Sequence, residues 1–172
     1  MLDLPVVWAE GTLEHVPGAE IWVGVSTPGT ELPERATVIR DAVVAAGAKL
    51  VTAVPHDDEI LRSVHGDGLL HHLRSIHAAW VEGGYPVEPG QPNVVPYVFP
   101  TAGMLDGLPI REPVATHARA GRYCYDTMTL VGPGSWEAIR GAADAALTAA
   151  DLVSSGAPLA YALCRPPGHH VT

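Results

Sequence analysis

The chain has 172 residues, of which 47% are hydrophobic and 17% charged, a balance that excludes a disordered chain and allows one domain with a real core. Ten basic against nineteen acidic residues give a net charge of −9, which argues against a nucleic-acid partner. Such a charge would attract cationic small molecules, although the general acidity of many soluble bacterial-type proteins is the favoured explanation for it. Two cysteines make no disulfide framework. The N-terminus lacks the features of a signal peptide and no apolar run reaches membrane-spanning length, so we expect a cytoplasmic protein without a membrane partner.

Strand and helix signals alternate along the first third of the chain, which is typical of an α/β protein. The predicted elements are a buried strand at 5–9, a helix at 31–47 and a strand at 49–54. Val38 and Val43 belong to the apolar stripe of the helix. Residues 10–30 predict mostly loop, with 21–25 as either a strand or a buried plug.

The next segment carries a helical pattern and four histidines. Residues 58–65 and 68–82 predict one broken helix or two short ones. The predicted buried side comprises Leu69, Leu73, Ile76, Trp80 and Val81. The histidines are His65, His71, His72 and His77. Their spacing places no two of them well on one helix face, so we interpret them as solvated side chains and not as metal ligands.

Residues 85–122 form the longest irregular stretch and contain seven prolines together with many apolar residues. Such a composition is unlike a disordered linker, and a long ordered loop in a compact domain is usually functional. The alternative is a surface loop that packs on its own domain without a function.

The clearest helix signal begins at Ser135, a good N-cap residue, and stops at Gly156. Its predicted buried face comprises Trp136, Ile139, Ala143, Ala146, Leu147, Ala150 and Val153, with Asp144 and Asp151 off that face. An apolar run at 159–164 then predicts a buried strand, in which Cys164 is a small core residue. A helix followed so closely by a strand indicates a parallel α/β sheet.

The strand leads into Arg165-Pro166-Pro167-Gly168-His169-His170. The two prolines end the strand because they cannot donate to a sheet ladder, and Gly168 allows a sharp turn. Ligands of open α/β sheets bind just past the carboxyl ends of the strands. Adjacent imidazoles at that edge suit proton transfer near neutral pH.

This motif resembles the zinc-dependent deacetylases: class II histone deacetylases and bacterial acetylpolyamine amidohydrolases. The similarity extends through Gly121-Arg122-Tyr123-Cys124 and Gly132-Pro133-Gly134-Ser135-Trp136-Glu137, and more weakly around Pro33-Glu34-Arg35 and Val64-His65. The resemblance implies an arginase/deacetylase-like α/β fold, a parallel sheet flanked by helices on both faces. Residues 1–172 are expected to be the N-terminal part of one such domain.

The resemblance also implies the chemistry. It assigns His170 as the principal base and His169 as its catalytic partner, while a Zn²⁺ ion activates the attacking water. No Asp-x-His-His-Gly block occurs in the chain, so the zinc ligands are expected downstream of Thr172. Gly168 is assigned to substrate binding.

The family commonly carries a substrate-binding carboxylate about five residues before its Pro-Gly turn, where this chain has Met128. Either the loop shifts and Asp126 binds substrate instead, or polyamine recognition is lost and Asp126 only anchors its loop. The family's N-terminal loops line the substrate tunnel, which makes His15 and Glu20 candidate rim residues, although we favour simple solvation for both.

The function implied by the resemblance is a deacetylase of acetylated polyamines or related acylated amines. The alternatives are a protein lysine deacetylase and a truncated, non-catalytic homologue that acts as a binding module. Acetylpolyamine amidohydrolases carry an insertion where this chain has residues 85–122, and in them it narrows the active-site entrance and helps to form a dimer. The resemblance therefore implies a homodimer.

Overall fold

The computed structural model describes residues 3–88, 90–100, 106–109, 111–124 and 126–168. The chain divides into two compact units. The first unit is built from residues 1–16, 31–61 and 134–172, and the second from residues 17–30 and 62–133. The assignment of the whole chain to a single domain stays a prediction.

The first unit contains a parallel sheet and the helices around it. Its strands are β1 (Pro5–Trp8), β4 (Lys49–Thr52) and β5 (Tyr161–Ala162). Its helices are a 3-10 helix (Glu10–Leu13), α1 (Pro33–Ala45), α2 (Asp58–Arg62) at its border and α5 (Ser135–Ser154). The strand order is β4-β1-β5, so β1 lies in the centre and pairs in parallel with both neighbours.

The alternation of side chains along β1 explains why helices cover both faces of this sheet. Val6 and Trp8 point to one face, where they pack with Ala36 of α1. Val7 points to the other face and packs against Ala145 and Ala149 of α5. The predicted parallel sheet with helices on both faces is therefore confirmed.

Several predictions for the last helix and strand are wrong in detail. The N-cap of α5 is Gly134, in the left-handed region with φ 75°, and not Ser135. The buried residues of α5 are Ser135, Ala138, Ala142, Asp144, Ala145, Thr148 and Ala149. That face differs from the predicted one and includes Asp144. Strand β5 has two residues, and Cys164 is exposed, with its Sγ 3.4 Å from the carbonyl oxygen of Ala142.

The prediction for α1 holds for its position but not for its apolar stripe. The helix buries Ala36, and Val43 is half-buried against the same cluster. Val38 is 67% exposed, because it lies on the opposite side of the helix from Ala36.

Among its described residues, the second unit combines a hairpin with two helices. Its elements are β2 (Ala19–Trp22), β3 (Val25–Pro28), α3 (Asp67–Glu82) and α4 (Thr116–Ala120). Strands β2 and β3 pair antiparallel through a turn at Val23 and Gly24, where both residues have positive φ. The core comprises Ile76, Trp80, Val94 and Ala120.

Three predictions for the second unit need correction. The stretch predicted as mostly loop contains the β2–β3 hairpin, so residues 21–25 are not one strand. His72 is buried and not solvated, whereas the predicted core residue Val81 is 52% exposed. The irregular segment 85–122 contains the short helix α4. None of the helices that the structure describes is long and apolar enough to cross a membrane.

Candidate active-site loop

The candidate active-site loop leaves the carboxyl edge of the parallel sheet. Strand β5 ends at Ala162, and the backbone N–H of Leu163 still donates to the carbonyl of Val7 at 3.0 Å. Arg165 follows and is 3% exposed, whereas Pro167 and Gly168 are exposed. The predicted catalytic residues His169 and His170 come next in the sequence and lie outside the described residues. Their roles, and that of Gly168, stay predictions.

Arg165 uses its guanidinium to tie this loop to two other segments of the first unit. Nη1 donates to the carbonyl of Thr12 at 2.7 Å, and Nη2 donates to the carbonyl of His15 at 2.6 Å. Nε donates to the Glu31 carboxylate at 2.8 Å, and Nη2 also reaches the Glu31 carbonyl at 3.2 Å. Four of the five guanidinium N–H groups are thus used, which offsets the desolvation of a buried cation.

His15 lies beside this arginine and is buried, so its interpretation as a solvated side chain is wrong. Its Nδ1 is 2.8 Å from Oγ of Ser135, the first residue of α5. Burial lowers the pKa of His15, and the positive charge of Arg165 lowers it further, against a smaller opposing effect of Glu31. A neutral imidazole that is hydrogen-bonded to a buried hydroxyl indicates that His15 contributes to the packing of this region.

A second polar cluster joins the segment after β4 to α5. Asp144 accepts from the backbone N–H of His56 at 2.9 Å and forms an ion pair with Arg140 at 3.1 Å. The His56 ring bonds Asp151 at 2.9 Å, and this bond raises the pKa of His56, with Asp144 adding to the effect. The sequence signal for the cluster was the charged pair Arg140 and Asp144, four residues apart in an alanine-rich helix.

Asp126 belongs to the second unit and binds its own loop. Its Oδ1 accepts from the backbone N–H groups of Met128 and Thr129, at 2.9 and 2.8 Å. Such contacts are typical of a turn-forming aspartate. They agree with the loop-anchoring alternative, while substrate binding by Asp126 stays a prediction.

An open cavity of about 240 Å³ lies next to Asp126. It is lined by Ile21, Trp22, Val23, Phe99, Asp126, Thr127 and Met128. Two hydrogen bonds between Ile21 and Thr127 fasten the hairpin to this loop, at 2.7 and 3.3 Å. Glu20, another candidate rim residue, is held by the backbone N–H and the hydroxyl of Thr30, both at 2.9 Å.

A metal centre requires at least three suitable side chains close together. Within the described residues, no group of three or more histidines, cysteines, aspartates and glutamates has a geometry that could hold a metal ion. The described part of the chain therefore does not fit a catalytic zinc.

The comparisons with known proteins agree on one family. The sequence profile of the family described as "Histone deacetylase domain" matches residues 30–172. An acetylpolyamine amidohydrolase of Mycoplana ramosa is 34% identical over 152 residues, which cover 88% of this chain and 42% of that protein. Acetylpolyamine amidohydrolase 1 of Pseudomonas aeruginosa is 32% identical over 166 residues, which cover 95% of this chain and 46% of that protein.

The fold comparison gives the same result. The crystal structure of an acetylpolyamine aminohydrolase from Burkholderia pseudomallei matches with a TM-score of 0.83 and 30% sequence identity, over 98% of this chain and 46% of that one. The chain thus spans less than half the length of these relatives. Since the family profile covers most of the chain, and a family structure shares its fold, this protein belongs to the histone deacetylase family.

Proposed function

We propose that this protein takes part in the hydrolysis of acylated amines as a zinc-dependent deacetylase, to which residues 1–172 contribute the His169–His170 pair. The observation that carries the proposal is the arginine–diproline–glycine loop, which leaves the carboxyl edge of a parallel sheet in a chain of the deacetylase family. The relatives are named as amidohydrolases, which supports hydrolysis of a linear amide.

On this proposal the two imidazoles handle the protons of the reaction. His170 accepts the proton of the attacking water, and His169 assists electrostatically or as an acid. Zinc would polarise the acyl carbonyl in a deacetylase of this family, which is generally zinc-dependent. The described residues offer no ligand set, so the proton-transfer roles assigned to this chain involve only the two histidines.

Acetylated polyamines are the proposed substrate class, because the matched relatives are named for them. The net charge of −9 would attract such cations. Asp126 and Gly168 are the proposed substrate-binding residues. Met128 stands where the family carries a carboxylate, and this departure supports the alternative of other acylated amines, including acetyl-lysine in proteins.

The histidine assignment is tested by His170→Ala in the protein expressed from its complete gene. We expect kcat for an acetylated polyamine to fall by about 10²- to 10⁴-fold, because the general base is lost. The zinc content of the purified variant should equal that of the wild type, because the imidazole is proposed as a base and not as a ligand. His71→Ala, an exposed histidine of the second unit, is the control and should keep wild-type activity.

Loss of zinc from His170→Ala would contradict the assignment of that imidazole as a base, and unchanged kcat would contradict a catalytic role. A truncated, non-catalytic binding module remains the second candidate, which a lack of zinc ligands in the complete protein would favour. It predicts that the wild type binds an acetylated polyamine in calorimetry without hydrolysing it.

The proposal of a zinc-dependent deacetylase also includes a cytoplasmic location and a homodimer.

A further inference from the structure

The four hydrogen bonds of Arg165 connect three parts of the first unit that are far apart in sequence. They join Arg165, in the loop after β5, to the carbonyls of Thr12 and His15, after β1, and to Glu31, just before α1. We call the Arg165 guanidinium with these acceptors the Arg165 clamp. Because a guanidinium is planar and donates in fixed directions, it fixes the orientation of all three segments together.

Stability alone is a weak explanation for such a clamp. A buried ion pair is often no more stabilising than well-packed apolar side chains of similar volume, whereas a specific arrangement of segments is a well-attested use of buried charge. The Arg165 side chain is 4% exposed and that of Glu31 is 18% exposed, so the pair is largely removed from water. Arg165 lies four residues before His169. The arrangement that the clamp specifies is therefore that of the loop leading to the histidine pair.

Two of the three residues between Arg165 and His169 are prolines, which restrict the chain between the clamp and the histidine pair. Pro166 and Pro167 follow Arg165 directly, and each proline ring restricts its own φ to about −65°. Only Gly168 then separates the second proline from His169. Because the loop is fixed at Arg165 and stiffened by two prolines, only Gly168 is left with a wide choice of backbone angles before the histidine pair.

We propose that Arg165 is a positioning residue for catalysis, which acts through the loop to hold the His169–His170 pair where proton transfer is efficient. The inference rests on the proposed function of that pair. Among the described residues the Arg165 guanidinium bonds Thr12, His15 and Glu31, none of which is proposed to take part in the proton transfer. Its expected signature is a loss of kcat without a matching change in KM, because a small displacement of a proton-transferring group slows the reaction more than it weakens substrate binding.

The test is Arg165→Lys in the protein expressed from its complete gene, with an acetylated polyamine as substrate. Lysine keeps the positive charge but cannot reach all of these acceptors in one fixed geometry. We expect kcat to fall by about 10- to 100-fold while KM stays within about twofold. Glu31→Gln, which keeps an acceptor oxygen but removes the charge, should lower kcat by about three- to tenfold and decides the question if Arg165→Lys does not fold.

Arg140→Lys is the matched control, because Arg140 is also a poorly exposed arginine of the first unit with a carboxylate partner. It ties α5 to the segment after β4 and has no contact in the Arg165 clamp. We expect a lower melting temperature for this variant but wild-type kcat. The free energy of unfolding of each variant, measured by denaturant titration, allows kcat to be expressed per folded molecule.

Two results would overturn the inference in different ways. If Arg165→Lys (or, where it does not fold, Glu31→Gln) lowers stability as Arg140→Lys does but keeps kcat per folded molecule within about twofold of wild type, the clamp is purely structural and the proposed function stands. If His170→Ala, assayed beside them, keeps wild-type kcat, the proposed function fails and the inference fails with it.

Discussion

His72 is a buried histidine of the second unit, with 7% of its surface exposed. Its ring centroid lies 4.9 Å from that of Tyr123. Burial lowers the pKa of His72 to about 4, and the nearby positive charge of Arg119 and the ring of His71 act in the same direction. The imidazole therefore remains neutral in the folded protein at a pH where it would be protonated in the unfolded chain.

The difference between the pKa of His72 in the folded and in the unfolded chain leads to a prediction for stability in acid. The unfolded chain binds more protons than the folded one between the unfolded pKa of 6.5 and the folded pKa of about 4, so the free energy of unfolding falls as the pH drops through that window. For this one residue the loss approaches about 3 kcal/mol at the lower limit. His72→Phe should show a smaller loss between pH 6.5 and 4 in urea titrations. Equal slopes for variant and wild type would contradict this account of His72.

The sequence contained a signal that His72 is buried. The prediction of a solvated side chain followed instead from the polarity of histidine as a residue type. His72, Ile76 and Trp80 are four residues apart on α3 and share one face, and all three are buried. A histidine is apolar enough in its neutral form to join such a face, so polarity alone could not separate it from exposed His71. The contacts of Arg165 could not be predicted either, because no local pattern shows that distant carbonyls surround its guanidinium.

At the scale of elements, α5 was predicted from its periodicity, and its observed limits agree with the predicted N-terminal start and the stop at Gly156. The predicted face was wrong by one residue, which is about 100° on a helix. The predicted buried face was chosen because it contains the large apolar residues Trp136 and Ile139. The face that packs against β1 instead uses alanines such as Ala145 and Ala149, because small side chains let a helix approach a sheet closely.

A further prediction at this scale concerns the polar cluster of His56, Arg140, Asp144 and Asp151, which connects the segment after β4 to α5. The bond to Asp151 raises the pKa of His56 in the folded state, so its contribution to stability is complete below pH 6.5 and is lost as the pH rises through the folded pKa. Asp151→Asn should lower the free energy of unfolding at pH 6 by up to about 1 kcal/mol, because Asp151 is largely exposed.

The difference between Asp151→Asn and the wild type should shrink as the pH rises above 6.5, when measured by denaturant titration at several pH values. Asp67→Asn is the control, because this exposed aspartate pairs with Arg62 and not with a histidine. A deficit for Asp151→Asn that is constant from pH 6 to 9 would show that the ionic bond to His56 does not contribute.

At the scale of the whole molecule, the fold class followed from the order of the elements in the sequence, because a β–α–β order with short connections allows few topologies. The β2–β3 hairpin could not be predicted in the same way. Its turn holds Val23 at φ 50°, a conformation that β-branched residues rarely adopt, so the usual Asn-Gly type of turn signal was missing.

Segment 85–122 is anchored at both ends and exposes apolar side chains between them. Val94 pairs with Val131, and the hydroxyl of Tyr85 lies 2.5 Å from Nδ1 of His117. In contrast, Leu108 is 69% and Val114 is 94% exposed. Isolated exposed apolar residues are common, but several in one segment are typical of a contact surface. This pattern supports the proposed homodimer contact, while a role of the segment in limiting access to the active site stays a prediction from the resemblance.

The prediction is tested by replacing residues 101–113 with a short glycine–serine linker in the protein expressed from its complete gene, a change that leaves both anchors intact. We expect the particle mass in light scattering to fall from dimer to monomer. A wider entrance should also raise kcat/KM for an acetyl-lysine peptide relative to an acetylated polyamine, by about tenfold if access is the main barrier. Val64→Ser, which changes an exposed valine outside the segment, should alter neither property. If the linker variant keeps both the mass and the kcat/KM ratio of the wild type, the segment is a surface loop without either role.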